Sequence, residues 1–575
     1  MRLTVKQPRS EDLVLELADG STLMDCLSAA GLSLDAPCGG KGRCGKCLVA
    51  AEGDLEPPSA KELEIIGPKS GQRLACQARG RGDAVVTLGE GAAFSALKGL
   101  GWTAPYSFDP VASLISAPPR DRHDQKPLLK TLSLKAELSP ALEKLAELEA
   151  NRIEAKALVC EKKLLSVWPQ GEGPEECLAA AFDLGTTGLA LAVLDLNKRE
   201  TIKVETALNP QTAVGGDVIS RITSAAEKPE NLEKLQSLAL EGLSSLVEKA
   251  LGPRASNIGA AVVCGNTTML HLLAGLNPKS LAQAPYRPIF TDSLDLSSLA
   301  PRLGLPSHAK VATAPCISSY VGGDITSGIA AIKLRQRPGT VIFIDIGTNG
   351  EIVLSRKGRL VATSCAAGPA LEGMNISCGM RAVTGAVDSF LLVPDLTHVF
   401  TTIGGAEPKG ICGSGLIDLV AELVRSGLIT KTGRLKAPEG RPDPLIEGNY
   451  HLTESVFLSQ KDVRQVQLAK GAISAAMKML LAKLNLTLDD LDEVVIAGSF
   501  GYHLRAENLL AISLIPKGYQ GPVSFVGNSS LAGAARLLMD RSAMGEIEKL
   551  SGEIEVIELG FDPKFQETFL AELGF

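Results

Sequence analysis

Between Pro37 and Cys47 the chain reads PCGGKGRCGKC, which sets Cys38, Cys44 and Cys47 among Gly39, Gly40, Gly42 and Gly45, and Cys76 follows in RLACQARG. The pattern is C-x5-C-x2-C…C. It suits a [2Fe–2S] cluster, because the thiolates must reach two irons with no side chains in the way. Glycine permits the tight turns and lets backbone N–H groups face the sulfides. The usual spacing is C-x4-C-x2-C…C; here one more residue separates the first two cysteines, and Lys46 stands where a small residue is more common. A zinc site is the competing reading. Zinc usually takes two separated C-x2-4-C pairs, and only Cys44 and Cys47 make one. Cys38, Cys44, Cys47 and Cys76 are therefore the expected metal ligands.

A second chemistry lies in a repeated phrase. AAAFDLGTTGLALAVLDL carries Asp183, Gly185, Thr186 and Thr187, and TVIFIDIGTNGEIVLSRKG returns Asp345, Gly347, Thr348 and Asn349 in matching places. A strand–turn–strand of this kind suits phosphate binding: the glycines free backbone N–H groups, the threonine hydroxyl adds a donor, and the aspartate holds Mg²⁺ through water. One copy is weak, since ordinary hairpins also carry glycine. Two copies fit a two-lobed ATPase, which needs one on each side of its cleft. Later, DEVVIAGSFGYHL is a buried strand followed by Gly498, Ser499 and Gly501, a turn suited to close backbone approach to a base and its ribose. GNSSLAGAARLL then opens a helix at Asn528 and Ser529.

These groups need elements to position them. Over residues 1–91, LTVKQ and DLVLELADG predict a hairpin, STLMDCLSAAGL a helix capped by Ser21, and CLVAAEG and AVVTLGEG further strands. Cys26 falls outside the ligand spacing and reads as a core filler. Prolines 105, 110, 118, 119 and 127 crowd residues 92–127, which read as a linker with His123 exposed. Residues 128–176 read as a small middle domain, with Ser139 as N-cap and Pro140 at the first position of a helix. From 177 to 575 the repeat predicts two lobes, about 177–335 and 336–575. The fold class is multidomain α/β.

Composition excludes several classes. A formal charge of −7 argues against a nucleic-acid binder. Twelve irregularly spaced cysteines do not form a disulfide framework. The start MRLTVKQPRSEDLVLEL has no apolar signal core, and the most apolar window, Leu178–Leu196, is broken by Asp183 and glycines. The expectation is a cytoplasmic protein without a membrane span. At 45% apolar but only 4% aromatic, its cores must be built from Ala, Val, Leu and Ile.

The order of the first 91 residues resembles the β-grasp ferredoxins, and the two hairpins with a late adenosine turn resemble the actin, sugar-kinase and chaperone ATPase superfamily (ASKHA). GICGSG, with Gly413 and Gly415, is a further glycine-rich helix start that suits either phosphate or close helix packing. NPQTAVGGDVISRI, GNTTMLHLL, LAQAPYRP, YVGGDITSGI, CAAGPALEGMNISCGMRAVTGAVD and VQLAKGAI together resemble the reductive activators of corrinoid proteins, over nearly the whole chain. The resemblance implies a [2Fe–2S] cluster, ATP and Mg²⁺ as cofactors. It also implies one-electron reduction of a partner corrinoid protein from Co(II) to Co(I), a low-potential electron donor and a homodimer. By the same resemblance Asp217 or Asp324 orients the attacking water or Mg²⁺; the alternative for each is a structural N-cap.

His271 reads as a packed helix residue, and Cys264, Cys316, Cys365, Cys378 and Cys412 as small buried residues. The chain lacks D-x-H-x-x-G, since Asp121-Arg122-His123 is followed by Asp124-Gln125-Lys126, so the cobalt is expected on another protein. Alternatives are a redox-sensing ATPase or chaperone-like regulator, or an ATP-driven electron activator of another radical or metalloenzyme. A sugar or acyl kinase would have no use for a cluster.

Overall fold

The computed structural model describes residues 1–6, 13–18, 20–29, 47–59, 62–63, 66, 72–87, 103–118, 126–135, 137–393, 397–437, 444–498 and 504–575. The first sheet holds β1 (Arg2–Lys6), β2 (Leu13–Glu16), β3 (Leu48–Leu55), β4 (Gln72–Leu74) and β5 (Gly80–Thr87), in the order β2-β1-β5-β3-β4, with α1 (Leu23–Ala29) between β2 and β3. β1 and β2 form the expected antiparallel hairpin, and β5 lies parallel to β1. Alternation along β1 turns Leu3 and Val5 inward, where Leu23, Leu27, Val49, Leu74 and Val86 close a small core. Cys26 lies in that core, as its position on the helix implied. Helix α1 is capped one residue later than expected. Thr22 Oγ1 accepts the Asp25 N–H at 3.1 Å, and the Asp25 carboxylate accepts the Thr22 N–H at 3.2 Å. The Ser21 hydroxyl instead donates to the Ala18 carbonyl at 2.6 Å.

The middle unit has β6 (Ala112–Ala117), α2 (Leu128–Thr131), α3 (Pro140–Ala150), β7 (Ala155–Cys160) and β8 (Lys163–Pro169), with a β6-β7-β8 antiparallel sheet. β6 lies inside the stretch read as linker, because its partner strand is more than thirty residues downstream and the nearby prolines mask it. Ser139 caps α3 and Pro140 opens it, as expected. One face of the sheet takes Leu145 and Leu148 of α3, while Ala112 and Leu158 on the other join the core of the large C-terminal part of the chain. His123 lies outside the described residues.

The rest is two lobes of one plan. Lobe I orders β11 (Glu200–Leu208), β10 (Gly188–Asp195), β9 (Leu178–Leu184), β12 (Ile258–Gly265) and β13 (Lys310–Thr313) side by side. Its helices are α4 (Val218–Glu227), α5 (Pro229–Leu251), α6 (Thr267–Leu273) and α7 (Gly323–Ile332). Lobe II repeats the order with β16 (Arg359–Cys365), β15 (Gly350–Arg356), β14 (Thr340–Ile346), β23 (Glu493–Ala497) and β24 (Val523–Gly527), and adds β25 (Glu555–Ile557) beyond β16. Two small sheets intervene: β17 (Ala386–Leu392), β18 (His398–Thr402) and β19 (Gly410–Ile411), then β20 (Leu445–Ile446), β21 (Asn449–His451) and β22 (Phe457–Leu458). Its helices are α8 (Gly413–Arg425), α9 (Gln460–Lys483), α10 (Ala506–Ala511), α11 (Ser529–Met539), α12 (Arg541–Ser551) and α13 (Pro563–Ala571).

In each lobe the first three strands are antiparallel and the next two run parallel to the first. β9 is apolar on both faces and therefore central. Its Phe182 and Ala180 meet the α5 side, whereas Ala179 and Ala181 face a core shared with Val341 and Phe343 of the other lobe. Into that shared core run α7 and α11. Small residues let them nearly touch: a Cβ on Gly533 would lie 1.9 Å from the Ser327 carbonyl oxygen, and one on Gly328 would lie 2.7 Å from the Phe343 ring.

Candidate functional site

The two hairpins sit at the ends of equivalent strands, Asp183 near the end of β9 and Asp345 near the end of β14. β10 folds back at Leu184↔Leu189, leaving Gly185 to Gly188 as the turn, and β15 folds back at Ile346↔Gly350 around Gly347, Thr348 and Asn349. A Cβ at Gly185 would lie 2.7 Å from the Gly188 carbonyl oxygen, so only glycine fits there. The first turn is braced by its own lobe. Asn209 Nδ2 donates to the Gly185 carbonyl at 2.8 Å, Asn266 Nδ2 to Thr186 Oγ1 at 3.0 Å, and the fully buried Arg221 donates from Nη2 to the Thr186 carbonyl at 2.6 Å. Asp183 is held across the lobes: Asn528 Nδ2 donates to it at 2.8 Å and Ser530 Oγ at 3.1 Å, both from the start of α11. In the second turn Thr348 Oγ1 donates to Glu372 Oε2 at 3.0 Å.

Asp183, Asp324, Asp345, Glu351 and Glu372 are all half-buried and electrostatically coupled. Burial pushes Asp324 up to about 7, aided by the Asp183 charge, although the Ile325 N–H favours its ionised form. Burial pushes Asp345 up to about 8, with Asp324, Asp183 and Glu372 adding repulsion. Burial and the Asp324 and Asp345 charges hold Glu351 well above the usual carboxylate range. Burial raises Asp183 too, offset by Asn528 and Ser530, and raises Glu372, offset by Thr348 and Arg381. A group of carboxylates that repel one another this way favours a cation among them. Among the described residues no three His, Cys, Asp or Glu side chains converge on one point as direct metal ligands. Asp183, Asp324 and Asp345 therefore suit a divalent ion held through water, and this donor set fits Mg²⁺ with a nucleotide.

The two uncertain aspartates separate. Asp324 is the second residue of α7; Gly322 takes the cap position, and the Asp324 carboxylate accepts the neighbouring Ile325 N–H at 2.9 Å. A Cβ on Gly322 would lie 2.5 Å from the Asn266 Cα, so the helix start is pressed against the first hairpin's brace. Asp217 is exposed and caps α4, accepting the Ser220 N–H at 2.8 Å in a reciprocal capping box. It stands apart from the coupled carboxylates.

Gly413 and Gly415 open α8 against backbone, for a Cβ on them would lie 2.0 Å from the Leu371 and 2.1 Å from the Val387 carbonyl oxygens. Close helix packing thus requires both glycines. Gly498 has φ +122 and abuts Ile346 beneath Asp345, which puts the end of β23 next to the second hairpin. Ser499 and Gly501 lie outside the described residues. His271 is a packed residue: its ring is 4.4 Å from that of Phe290, Nε2 accepts the Ile289 N–H at 3.0 Å, and Nδ1 bonds the Thr267 carbonyl at 2.7 Å. Cys264, Cys316, Cys365 and Cys412 are buried, and Cys378 is half-buried. Glu351, Glu372, Asn209, Arg221 and Asn266 were not singled out from the sequence. Only the position of Glu351 directly after GTNG in the second hairpin offers a signal.

In the first domain Cys47 and Cys76 are both buried, with sulfurs 3.2 Å apart. That exceeds a disulfide bond of about 2.05 Å and lets one metal ion bond both. Ala75 N–H donates to the Cys47 carbonyl at 2.9 Å, and the Gln77 amide reaches Cys76 Sγ at 3.6 Å. The pair fits an iron–sulfur cluster; Cys38 and Cys44 lie outside the described residues.

Comparison with known proteins agrees with this arrangement. Residues 339–575 match the family described as the C-terminal domain of RACo, the ASKHA domain, residues 178–337 the RACo middle region, and residues 7–80 the 2Fe-2S iron-sulfur cluster binding domain. A corrinoid activation enzyme, RamQ of Eubacterium limosum, is 30% identical over 98% of this chain and 97% of its own. A [Co(II) methylated amine-specific corrinoid protein] reductase of Methanosarcina barkeri is 26% identical over 69% of this chain and 76% of its own. A solved structure of a reductive activator for corrinoid, iron-sulfur protein is 29% identical and superposes with a TM-score of 0.74, covering 100% of this chain and 98% of that one. A ferredoxin-like domain joined to two nucleotide-binding lobes, matched along its whole length, places the chain in the family of corrinoid reductive activators.

Proposed function

We propose that the chain is an ATP-dependent reductive activator. It passes one electron to the Co(II) form of a partner corrinoid protein and restores Co(I) for methyl transfer. Cys38, Cys44, Cys47 and Cys76 hold the iron–sulfur cluster, which supplies a one-electron carrier at roughly −400 mV if it is of the plant type. The hairpin of Asp183, Gly185, Thr186 and Thr187 and the backbone N–H groups of the hairpin of Asp345, Gly347, Thr348 and Asn349 hold the phosphates of ATP, and Gly498, Ser499 and Gly501 face its adenosine. Asp324 is the candidate for orienting water, and Asp217 is a cap.

The observation that carries this reading is the course of α7 and α11. Both begin at the carboxylates, with Asp324 on the first turn of α7 and Asn528 capping α11. Both end at the segment that leads back toward the cluster domain. Ala104 N–H donates to the Ala331 carbonyl of α7 at 2.7 Å, and Asp109 and Val111 N–H donate to the Met539 and Leu538 carbonyls of α11, each at 3.0 Å. Arg536 of α11 bonds the Ala330 carbonyl of α7 and lies 5.7 Å from the Tyr106 ring centre. Two helices of about 15 Å each thus join the cleft to the tether. A shift between the lobes that moves their first turns moves residues 103–111 with them.

An energetic need exists for such a lever. For a one-electron step ~59 mV is a factor of ten, about 1.4 kcal/mol, so an uphill gap of ~100 mV costs about 2.3 kcal/mol. A ligand that prefers one conformation by that much suffices. Buried cysteines without disulfides support a reducing compartment such as the cytoplasm, where a low-potential donor would recharge the chain. Among the described residues no helix is long and apolar enough to cross a membrane.

The test is to mix the pre-reduced protein with a Co(II) corrinoid protein under anaerobic conditions and follow Co(I) by absorbance. Wild type is expected to form Co(I) and Cys76→Ser is not. Equal Co(I) from both would refute the reading.

A further inference from the structure

The two phosphate hairpins share a phrase, yet their threonine hydroxyls are wired in opposite senses. A hydroxyl has one proton to give and two lone pairs. Asn266 caps α6, and its Oδ1 accepts the Met269 N–H at 3.0 Å. That bond fixes the amide orientation, so the group facing Thr186 Oγ1 at 3.0 Å is the Nδ2 donor. Thr186 therefore accepts from Asn266, and its own proton is available for another acceptor. A phosphate oxygen is such an acceptor and has no proton of its own to offer.

Thr348 is the reverse. Its Oγ1 donates to Glu372 Oε2 at 3.0 Å, and the other carboxylate oxygen, Oε1, lies 3.9 Å from where a Gly347 Cβ would stand. Glu372 comes from a separate element, Pro369–Glu372, packed by the close approach of Gly413 to Leu371. With its proton committed, Thr348 has only lone pairs to present. Lone pairs cannot hold a phosphate oxygen; they hold a donor, and in a hydrolytic cleft the donor is water.

We infer that the hairpins are oppositely polarised: Thr186 donates to the nucleotide phosphate, whereas Thr348, its proton held by Glu372, accepts from the attacking water, so that Glu372 is a positioning residue for hydrolysis. The inference rests on the reading of this cleft as an ATPase. The water oxygen forms a bond to the terminal phosphorus, the bond to the ADP oxygen breaks with its electron pair going to ADP, and the water proton leaves to phosphate or solvent. The reaction needs no other reactant.

The experiment measures affinity for a non-hydrolysable ATP analogue with Mg²⁺, and phosphate release from ATP, in wild type, Thr186→Val, Thr348→Val, Thr348→Ser and Glu372→Met, the last of which keeps the length of the side chain and removes both carboxylate acceptors. Thr186→Val is expected to weaken analogue binding about tenfold, the value of one hydrogen bond to a charged group. Thr348→Val and Glu372→Met are expected to keep affinity within about twofold while kcat falls about 100-fold, as for a misplaced reactant. Thr348→Ser keeps kcat. Should Thr348→Val fail to fold, the Thr348→Ser and Glu372→Met pair still decides the matter. The polarity is overturned if both valine variants lose affinity alike, or if Glu372→Met hydrolyses ATP as wild type does. A wild-type protein that binds no nucleotide would instead overturn the ATPase reading itself.

Discussion

Lobe I and lobe II have the same strand order and the same glycine-rich phrase, but their acidic ends stand in different surroundings. Asp183 is met by amide and hydroxyl donors from across the cleft, and its turn is pinned by Asn209, Arg221 and Asn266. Asp345 is met by other carboxylates, and burial with their charge pushes it up to about 8. The acidic end of the first lobe is thus satisfied by protein donors, while that of the second is left among like charges. A repeated fold need not mean a repeated role.

Removing the brace should break the difference most strongly. Arg221 is fully buried and donates to the Gly215 and Thr186 carbonyls and to Gln211. Arg221→Ala orphans these acceptors and opens a void, so lobe I is expected to lose about 3–5 kcal/mol, seen as an early step in denaturant unfolding. A single unshifted transition would show that the brace contributes little.

The unsatisfied side should appear as pH dependence. Asp345 is held above its ordinary value of 3.8, at about 8, so the fold favours its protonated form. Its contribution to stability is present in full below about pH 4 and is lost as pH rises through about 8. The nucleotide-free protein should therefore melt lower at pH 9 than at pH 6. Asp345→Asn should flatten that slope and stabilise the pH 9 state by about 1–3 kcal/mol, since each pKa unit is worth about 1.4 kcal/mol, while abolishing Mg-nucleotide binding. A variant with the wild-type slope would remove the repulsion argument.

The smallest effect belongs to the contact that joins the lobes. Asn528 caps α11 through the Leu531 N–H at 2.8 Å and also holds Asp183. Asn528→Ala is expected to cost about 1–2 kcal/mol and to lower nucleotide affinity several-fold. Unchanged affinity would make the residue a cap only.

Much of this was legible because certain residue types permit few alternatives. The cysteine spacing, the two D-φ-G-T phrases and the strands around them pointed to the cluster, the cleft and the family. What the sequence could not give was partners distant along the chain. Glu372 meets Thr348 from a separate element, Arg221 reaches Thr186 from α4, and no local periodicity marks either contact. The two GGD phrases are identical as text, yet Asp217 becomes an exposed cap because its helix starts just after it. Asp324 turns toward the cleft because Gly322, pressed against Asn266, takes the cap in its place. The glycines of GICGSG carry two meanings in sequence, and the carbonyls of Leu371 and Val387 show that close packing alone requires them. β6 was hidden among prolines because strand partners are set by tertiary pairing.

In the proposed mechanism the cleft governs delivery of the electron through α7 and α11 to the 103–111 tether. The direct measurement is the rate and extent of Co(I) formation with and without ATP, in wild type and in the doubly substituted Tyr106→Ala, Phe108→Ala protein, whose rings lie near Arg536 and Arg199. In wild type ATP is expected to raise Co(I) formation at least about tenfold, the effect of roughly 1.4 kcal/mol. In the variant ATP hydrolysis is expected to continue with that stimulation lost. Equal Co(I) with and without ATP in wild type, or full stimulation in the variant, would contradict it.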